Sequence, residues 1–550
     1  MFNSGSTLYY TGYVNFIKPY LDWFGIPYDT YDVNSAEPLP DLSDYALLIL
    51  GHREVYTNAY PLTQLETAIS GGTGLYSFDP HLFDFPSAFC EHVGSHPGFS
   101  SSEIRFNTTH YITEAHTNDI YNPANDTIAT KAPLQVGAYS YDLIDNTVLA
   151  SLGTSDNNEA LMQVAEYGDG RIVKWNSYQW TFDEYLGPVW GMDDLLWRGI
   201  VWAARKPFVM QGLPPMVTMR VDDVDDRSRE MVNLEWISIC NNYGLIPWVG
   251  VFTVPEGHDP DGFFPKLKTF VDNNLATASP HSFTYHRLIY YNMSSDPQFS
   301  AVENVIEARN TFTTNGIAIS NFLVPHYYYL TADALPGIRD MGVEFLGTKI
   351  PYDPVPYPGN WLNNKPYRIN RNGWAGTGIP HFYADSINWL NTPFFLCLSE
   401  IGDDGTTTSQ YEWYPGTGSV DSVIARGVRH LRRSLNSMTL PVLFTHEDQL
   451  TMTSSDWHQI LSGVTTGVSP YNPEYKSTDD AVKYIRAKSN LVIRAVGSNN
   501  GLVTISVAGI NDMETKCYLF TEAGGQITHR LVTLPRVQNK AIPVNICVND

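Results

Sequence analysis

Apolar and polar positions divide the chain into three textures. Over residues 1–205, short apolar runs alternate with helical periodicities: strand-like Thr7–Tyr10, a helical face of Tyr13, Phe16, Ile17, Tyr20, Leu21 and Phe24, then the buried run Tyr45–Leu50. A helix near Leu62–Ile69 follows, and after Gly71-Gly72-Thr73-Gly74 comes the strand Leu75–Phe78. Ala160–Glu166, Gly170–Trp175 and a closing helix over Met192–Ala204 extend the series. This alternation predicts a parallel, doubly wound α/β domain.

Lys206–Pro215 reads as a Pro/Gly linker, and strand-helix units then resume. Strands are predicted at Val217–Val221, Ile246–Thr253, Ala276–Ser279, Ile317–Val324, Val343–Thr348, Phe394–Leu398 and Val442–Thr445. Helices are predicted over Ser228–Tyr243, Phe263–Asn274, Ala301–Asn315, Thr331–Met341 and Val420–Met438. Units repeated at this spacing describe a (β/α) barrel spanning 206–470, with its chemistry at the C-terminal strand ends. A Pro/Gly/Asn/aromatic insertion, 352–391, interrupts it with Tyr352, Tyr357, Trp361, Tyr367, Trp374 and Tyr383. Its aromatics suit either ordinary packing or a platform for sugar rings. From 471 to 550, after a short Ser477-capped helix, period-two alternation predicts a β-sandwich. The fold expected is therefore multidomain α/β: a distorted (β/α) barrel flanked by a doubly wound α/β domain and a C-terminal β-sandwich.

Composition narrows the function classes. A net charge of −24 removes the cationic surface that nucleic acid and anionic membranes require. No apolar run approaches the length of a membrane span, and Met1–Gly5 lacks the basic and apolar regions of a secretory signal. Five cysteines are too few for a disulfide scaffold; Cys517 and Cys547 are the expected bridge.

The chemistry concentrates at predicted strand ends. Asp222, Asp223, Asp225 and Asp226 follow the first barrel strand, and such a cluster repels itself unless a cation compensates. His281 and His286 follow a later strand, Pro325-His326-Tyr327 another, and Leu443-Phe444-Thr445-His446 delivers a histidine at the end of the last. Imidazole with carboxylate suits a Zn²⁺-type ion that keeps one position open.

These four elements, in this order, resemble the NodB-homology polysaccharide deacetylase family over roughly 214–457. The resemblance implies removal of N-acetyl groups from aminosugars with a divalent metal, Zn²⁺ first and Co²⁺ or Ni²⁺ next. It implies Asp222 as general base, Asp223, His281 and His286 as metal ligands, and His446 as general acid. The backbone N–H of His326 would stabilise the oxyanion, with Arg220, Tyr327, Leu443 and Trp389 on the substrate side. Three departures stand out. The histidines are five apart where the family spaces them four, which would land on Tyr285. Leu323 replaces an arginine that orients the base, for which Arg220 is a substitute. The Trp-bearing element, Asp385–Trp389, lies inside the insertion.

Residues 1–205 resemble glutamine-amidotransferase-like domains, but Ser77-Phe78-Asp79 lacks their nucleophilic cysteine, so that domain is expected to be non-catalytic. The three-domain layout resembles the divergent deacetylases of secreted, partly N-acetylated aminosugar polymers, including fungal galactosaminogalactan. The expected partner is a polysaccharide outside the cell or in its wall. A small-molecule amidase and a catalytically silent carbohydrate-binding protein are the alternatives.

Overall fold

The computed structural model describes residues 1–55, 62–80, 82, 89–95, 98–117, 127–137, 139–181, 193–291, 300–328, 330–348, 384–389, 392–398, 413–499 and 501–547. Most of the 352–391 insertion, with all six of its named tyrosines and tryptophans, lies outside them.

In the N-terminal third, seven strands are ordered Leu47–Leu50, Gly74–Ser77, Gly170–Trp175, Asn158–Tyr167, Thr147–Gly153, Phe99–Phe106 and Thr127–Val136. Only the first three are parallel, and the other pairings are antiparallel. The doubly wound expectation thus holds for one edge. Parallel neighbours need a crossover of about a dozen residues or more, and the short turns between 147 and 175 permit only hairpins. Thr7–Tyr10, expected as a strand, lies in the helix Thr7–Gly12. Its tyrosines suit a strand locally, but the segment leads straight into the buried face of Tyr13, Ile17, Tyr20, Leu21 and Phe24.

The linker is also more ordered than its composition suggests. Phe208–Met210 pairs antiparallel with Thr515–Ala523, so the C-terminal region grips the chain just before the central sheet.

That sheet places Thr277–Ser282, Pro247–Phe252, Met216–Val224 and Val442–His446 side by side, all parallel. All nine residues of Met216–Val224 are buried, as expected of a strand covered on both faces. Helices Glu235–Asn241, Val420–Asn436 and Ser454–Val468 contribute Trp236, Val423 and Trp457 to the core packed against it. The helix expected from Ser228 starts only at Glu235, because Asn233 and Leu234 turn through positive φ. A second sheet joins Phe322–Leu323, Phe345–Thr348 and Thr392–Leu398 in parallel, with Ala384–Trp389 antiparallel at its edge.

The C-terminal region together with Phe208–Met210 forms two three-stranded sheets around one core of Val209, Ile493, Val503, Ile505, Cys517 and Leu519. Cys517 is a free thiol inside that core, whereas Cys547 is exposed on the last strand, so the expected disulfide is not made. Period-two alternation is the reason: one cysteine falls on an inward position and the other on an outward one.

Candidate functional site

The C-terminal ends of the central parallel strands converge on one buried polar cluster. Asp222 and Asp223 are adjacent, and an unbroken strand would send them to opposite faces. The pairing register shifts between Val221 and Val224, and Asp223 takes φ +57°. That irregularity brings both carboxylates to the same site, a known use of strand bulges.

Asp222 is 2 % exposed, and Arg220, two residues earlier on the same face, grips it with Nε donating to Oδ1 at 2.8 Å and Nη2 to Oδ2. The guanidinium is itself buried, 4.2 Å from the Phe444 ring centroid and 5.8 Å from that of Trp248. Burial opposes charge on Asp222, but Arg220, then His281 and His446, hold its carboxyl below the ordinary range. Arg220, expected on the substrate side, holds this carboxylate through two hydrogen bonds. It fills the role left open by Leu323.

Asp223 Oδ1 lies 3.3 Å from His281 Nε2 and 3.5 Å from His326 Nε2. One ligand atom from each of these three buried residues falls within 4.8 Å of the others. His281 Nδ1 is 2.7 Å from the Val324 carbonyl, so it donates there and leaves Nε2 as the free lone pair facing the carboxylates. Asp223 Oδ1 and His326 Nδ1 are buried and form no hydrogen bond among the described residues. Burial opposes charge on Asp223, yet His281 and His326 draw its carboxyl down to about 2. Burial and the neighbouring His281 lower His326 to about 3. A buried carboxylate with an unsatisfied oxygen and two imidazoles form a donor set that fits a divalent cation.

The expected ligand His286 is not in this cluster. Directly after the strand the chain folds into a tight turn, in which Arg287 O accepts from Ser282 Oγ at 2.7 Å and from Phe283 N at 3.0 Å. This turn leaves His286 and Tyr285 at its exposed tip. His326 takes the third position instead, arriving from the separate strand Phe322–Leu323. Its sequence signal was present, a histidine after a buried strand, but the paired histidines at 281 and 286 drew the ligand assignment by proximity along the chain.

His446 sits opposite Asp222 on the neighbouring parallel strand. Leu443, expected on the substrate side, faces the other way: it is fully buried in the core with Met219 and Val221, whereas Phe444 shares the face of His446. Residues three apart on a strand point to opposite sides, which accounts for the difference. Tyr327 is 41 % exposed and stacks on the His326 ring at 3.9 Å, with φ +53°. Tyr285, 47 % exposed, meets the His326 ring at 5.6 Å. Two open aromatic rings thus border the buried cluster. Trp389 ends the edge strand Ala384–Trp389, and its side chain lies outside the described residues.

Asp225 and Asp226 do not join Asp223. Asp225 forks onto Arg227 at 2.6 and 2.7 Å and accepts from Glu256 N, while Asp226 accepts from Leu234 N. Both shape the loop rather than the Asp223-His281-His326 cluster.

The crystal structure of Agd3, a carbohydrate deacetylase, superposes on the chain with a TM-score of 0.53, covering 97 % of this chain and 96 % of that one at 11 % identity. The chain has the NodB-like polysaccharide deacetylase fold. A peptidoglycan N-acetylglucosamine deacetylase aligns over 49 % of this chain and 90 % of its own at 10 % identity and a TM-score of 0.28. A family 4 carbohydrate esterase from Streptomyces lividans aligns over 47 % of this chain and 88 % of its own at 8 % identity and a TM-score of 0.24. No family model matches the sequence, and no curated protein matches it. None of the described helices is long and apolar enough to cross a membrane.

Proposed function

We propose that the chain is a metal-dependent hydrolase that removes N-acetyl groups from an aminosugar-containing polysaccharide of the N-acetylgalactosamine or N-acetylglucosamine type. The observation that carries this reading is the Arg220-oriented Asp222 beside the Asp223-His281-His326 cluster, with His446 on the next strand. Asp223, His281 and His326 would hold the cation, most simply Zn²⁺, with Co²⁺ or Ni²⁺ as substitutes. When bound, it supplies a Lewis acid for the acetyl carbonyl and lowers the pKa of water. Asp222, kept ionised by Arg220, accepts the proton of the attacking water as the new C–O bond forms. His446 delivers a proton to the leaving nitrogen as the C–N bond breaks, so the products are acetate and a free amine. The His326 backbone N–H is the proposed donor to the oxyanion, and Tyr327 the proposed substrate contact.

The 206–470 unit is proposed as a distorted barrel between an ancillary 1–205 domain and a 471–550 β-sandwich, acting on an extracellular or cell-wall polymer. A strongly acidic protein suits a product that gains positive charge with each turnover. The test is acetate release by Zn²⁺-loaded protein from N-acetylglucosamine and N-acetylgalactosamine oligomers. Release is expected, with Asp222→Asn slower by about 10²-fold or more. No acetate from either oligomer, or equal rates for the variant, refutes the reading.

A further inference from the structure

We propose that Glu447 is a positioning residue that locks the carboxylate-bearing end of one strand to the histidine-bearing end of its neighbour, in support of the deacetylase reading above. Glu447 directly follows His446 and is fully buried. Its Oε2 accepts from the backbone N–H groups of Asp225 at 2.9 Å and Arg227 at 3.0 Å, and its Oε1 accepts from the indole of Trp236 at 3.0 Å. One side chain therefore ties the loop after Met216–Val224 to the end of Val442–His446 and to the helix Glu235–Asn241.

The requirement for such a tie is visible two residues upstream of Asp225. Asp223 holds a left-handed backbone conformation that a non-glycine residue keeps only where its surroundings over-determine it. The rest of the loop is braced around the same point: Asp225 holds Arg227, and Gly257 passes so close that an added Cβ would lie 2.1 Å from Asp225 O. Three N–H donors converging on one buried carboxylate make a preorganised support for the residues that face the cation and the substrate.

Glu447→Gln keeps the size but replaces one acceptor oxygen by a donor, so either the backbone pair or the indole must lose its partner. Zn²⁺ affinity of the full chain, measured by competition with a chromophoric chelator, is expected to fall about ten-fold or more. Amide hydrogen exchange at Asp225 and Arg227 is expected to accelerate, with an unchanged far-ultraviolet circular dichroism spectrum. Wild-type affinity and wild-type exchange in the folded variant overturn the proposal. If Glu447→Gln does not fold, Trp236→Phe decides: faster exchange at the two amides supports the clamp and unchanged exchange overturns it. A wild-type protein that binds no Zn²⁺ refutes the deacetylase reading instead, and the exchange measurement still decides the role of Glu447.

Discussion

At Asp223 a single backbone conformation decides where a carboxylate points. With φ at +57° its carboxylate joins that of Asp222, and the pair meets His281 and His326. The sequence made Asp222, Asp223, His281 and His446 legible because each stands at the end of a predicted buried strand. It did not separate His286 from His326, since spacing along the chain says nothing about which way a tight turn points. Variants discriminate the two arrangements. His326→Ala and His281→Ala are each expected to abolish stoichiometric Zn²⁺ uptake in equilibrium dialysis, whereas His286→Ala retains it. Loss of uptake in His286→Ala alone would restore the ligand set read from spacing.

Among the elements, the helix Val420–Asn436 carries an unusual cost. His430 on its buried face is 1 % exposed, and neither ring nitrogen has a hydrogen-bond partner among the described residues. Burial, followed by Arg433 and Arg429, lowers its pKa to about 3. Because the folded value lies below the ordinary 6.5, the unfolded chain binds the extra proton, and stability falls as pH drops from about 6.5 towards 3. His430→Leu removes both the unpartnered nitrogens and that proton linkage. It is expected to raise unfolding free energy at neutral pH by about 1 kcal/mol and to flatten the acid limb of the stability curve. Denaturant titrations at pH 7 and pH 5 measure both; an acid limb as steep as wild type would contradict the account. On the same helix, Arg426 donates to the carbonyls of Tyr414 and Thr417, binding the helix to its preceding loop.

Across the whole molecule, contacts cross every boundary suggested by texture. Arg171 of the N-terminal sheet donates to both oxygens of Glu522 in the C-terminal region at 2.9 and 2.6 Å, and the indole of Trp197 donates to Asn436 O at 2.8 Å. Glu522→Ala should lower the stability of the chain by about 1–2 kcal/mol, since the pair is bidentate but still partly exposed, and leave acetate release unaltered. Thermal unfolding alongside an activity assay tests this; an equal loss of activity would place the contact in the catalytic path. The sequence alone determined the strand-helix rhythm of the central region, the period-two C-terminus, the acidic balance and the strand-end Asp and His residues, because burial periodicity and strand length are local properties. The tertiary structure decided that most of the first sheet is antiparallel, that Cys517 and Cys547 stay apart, that Arg220 holds Asp222, and that His326, not His286, lies beside Asp223 and His281. Each depends on which strands lie side by side and on the bulge and turn that end them, and these follow from long-range packing that no local pattern encodes.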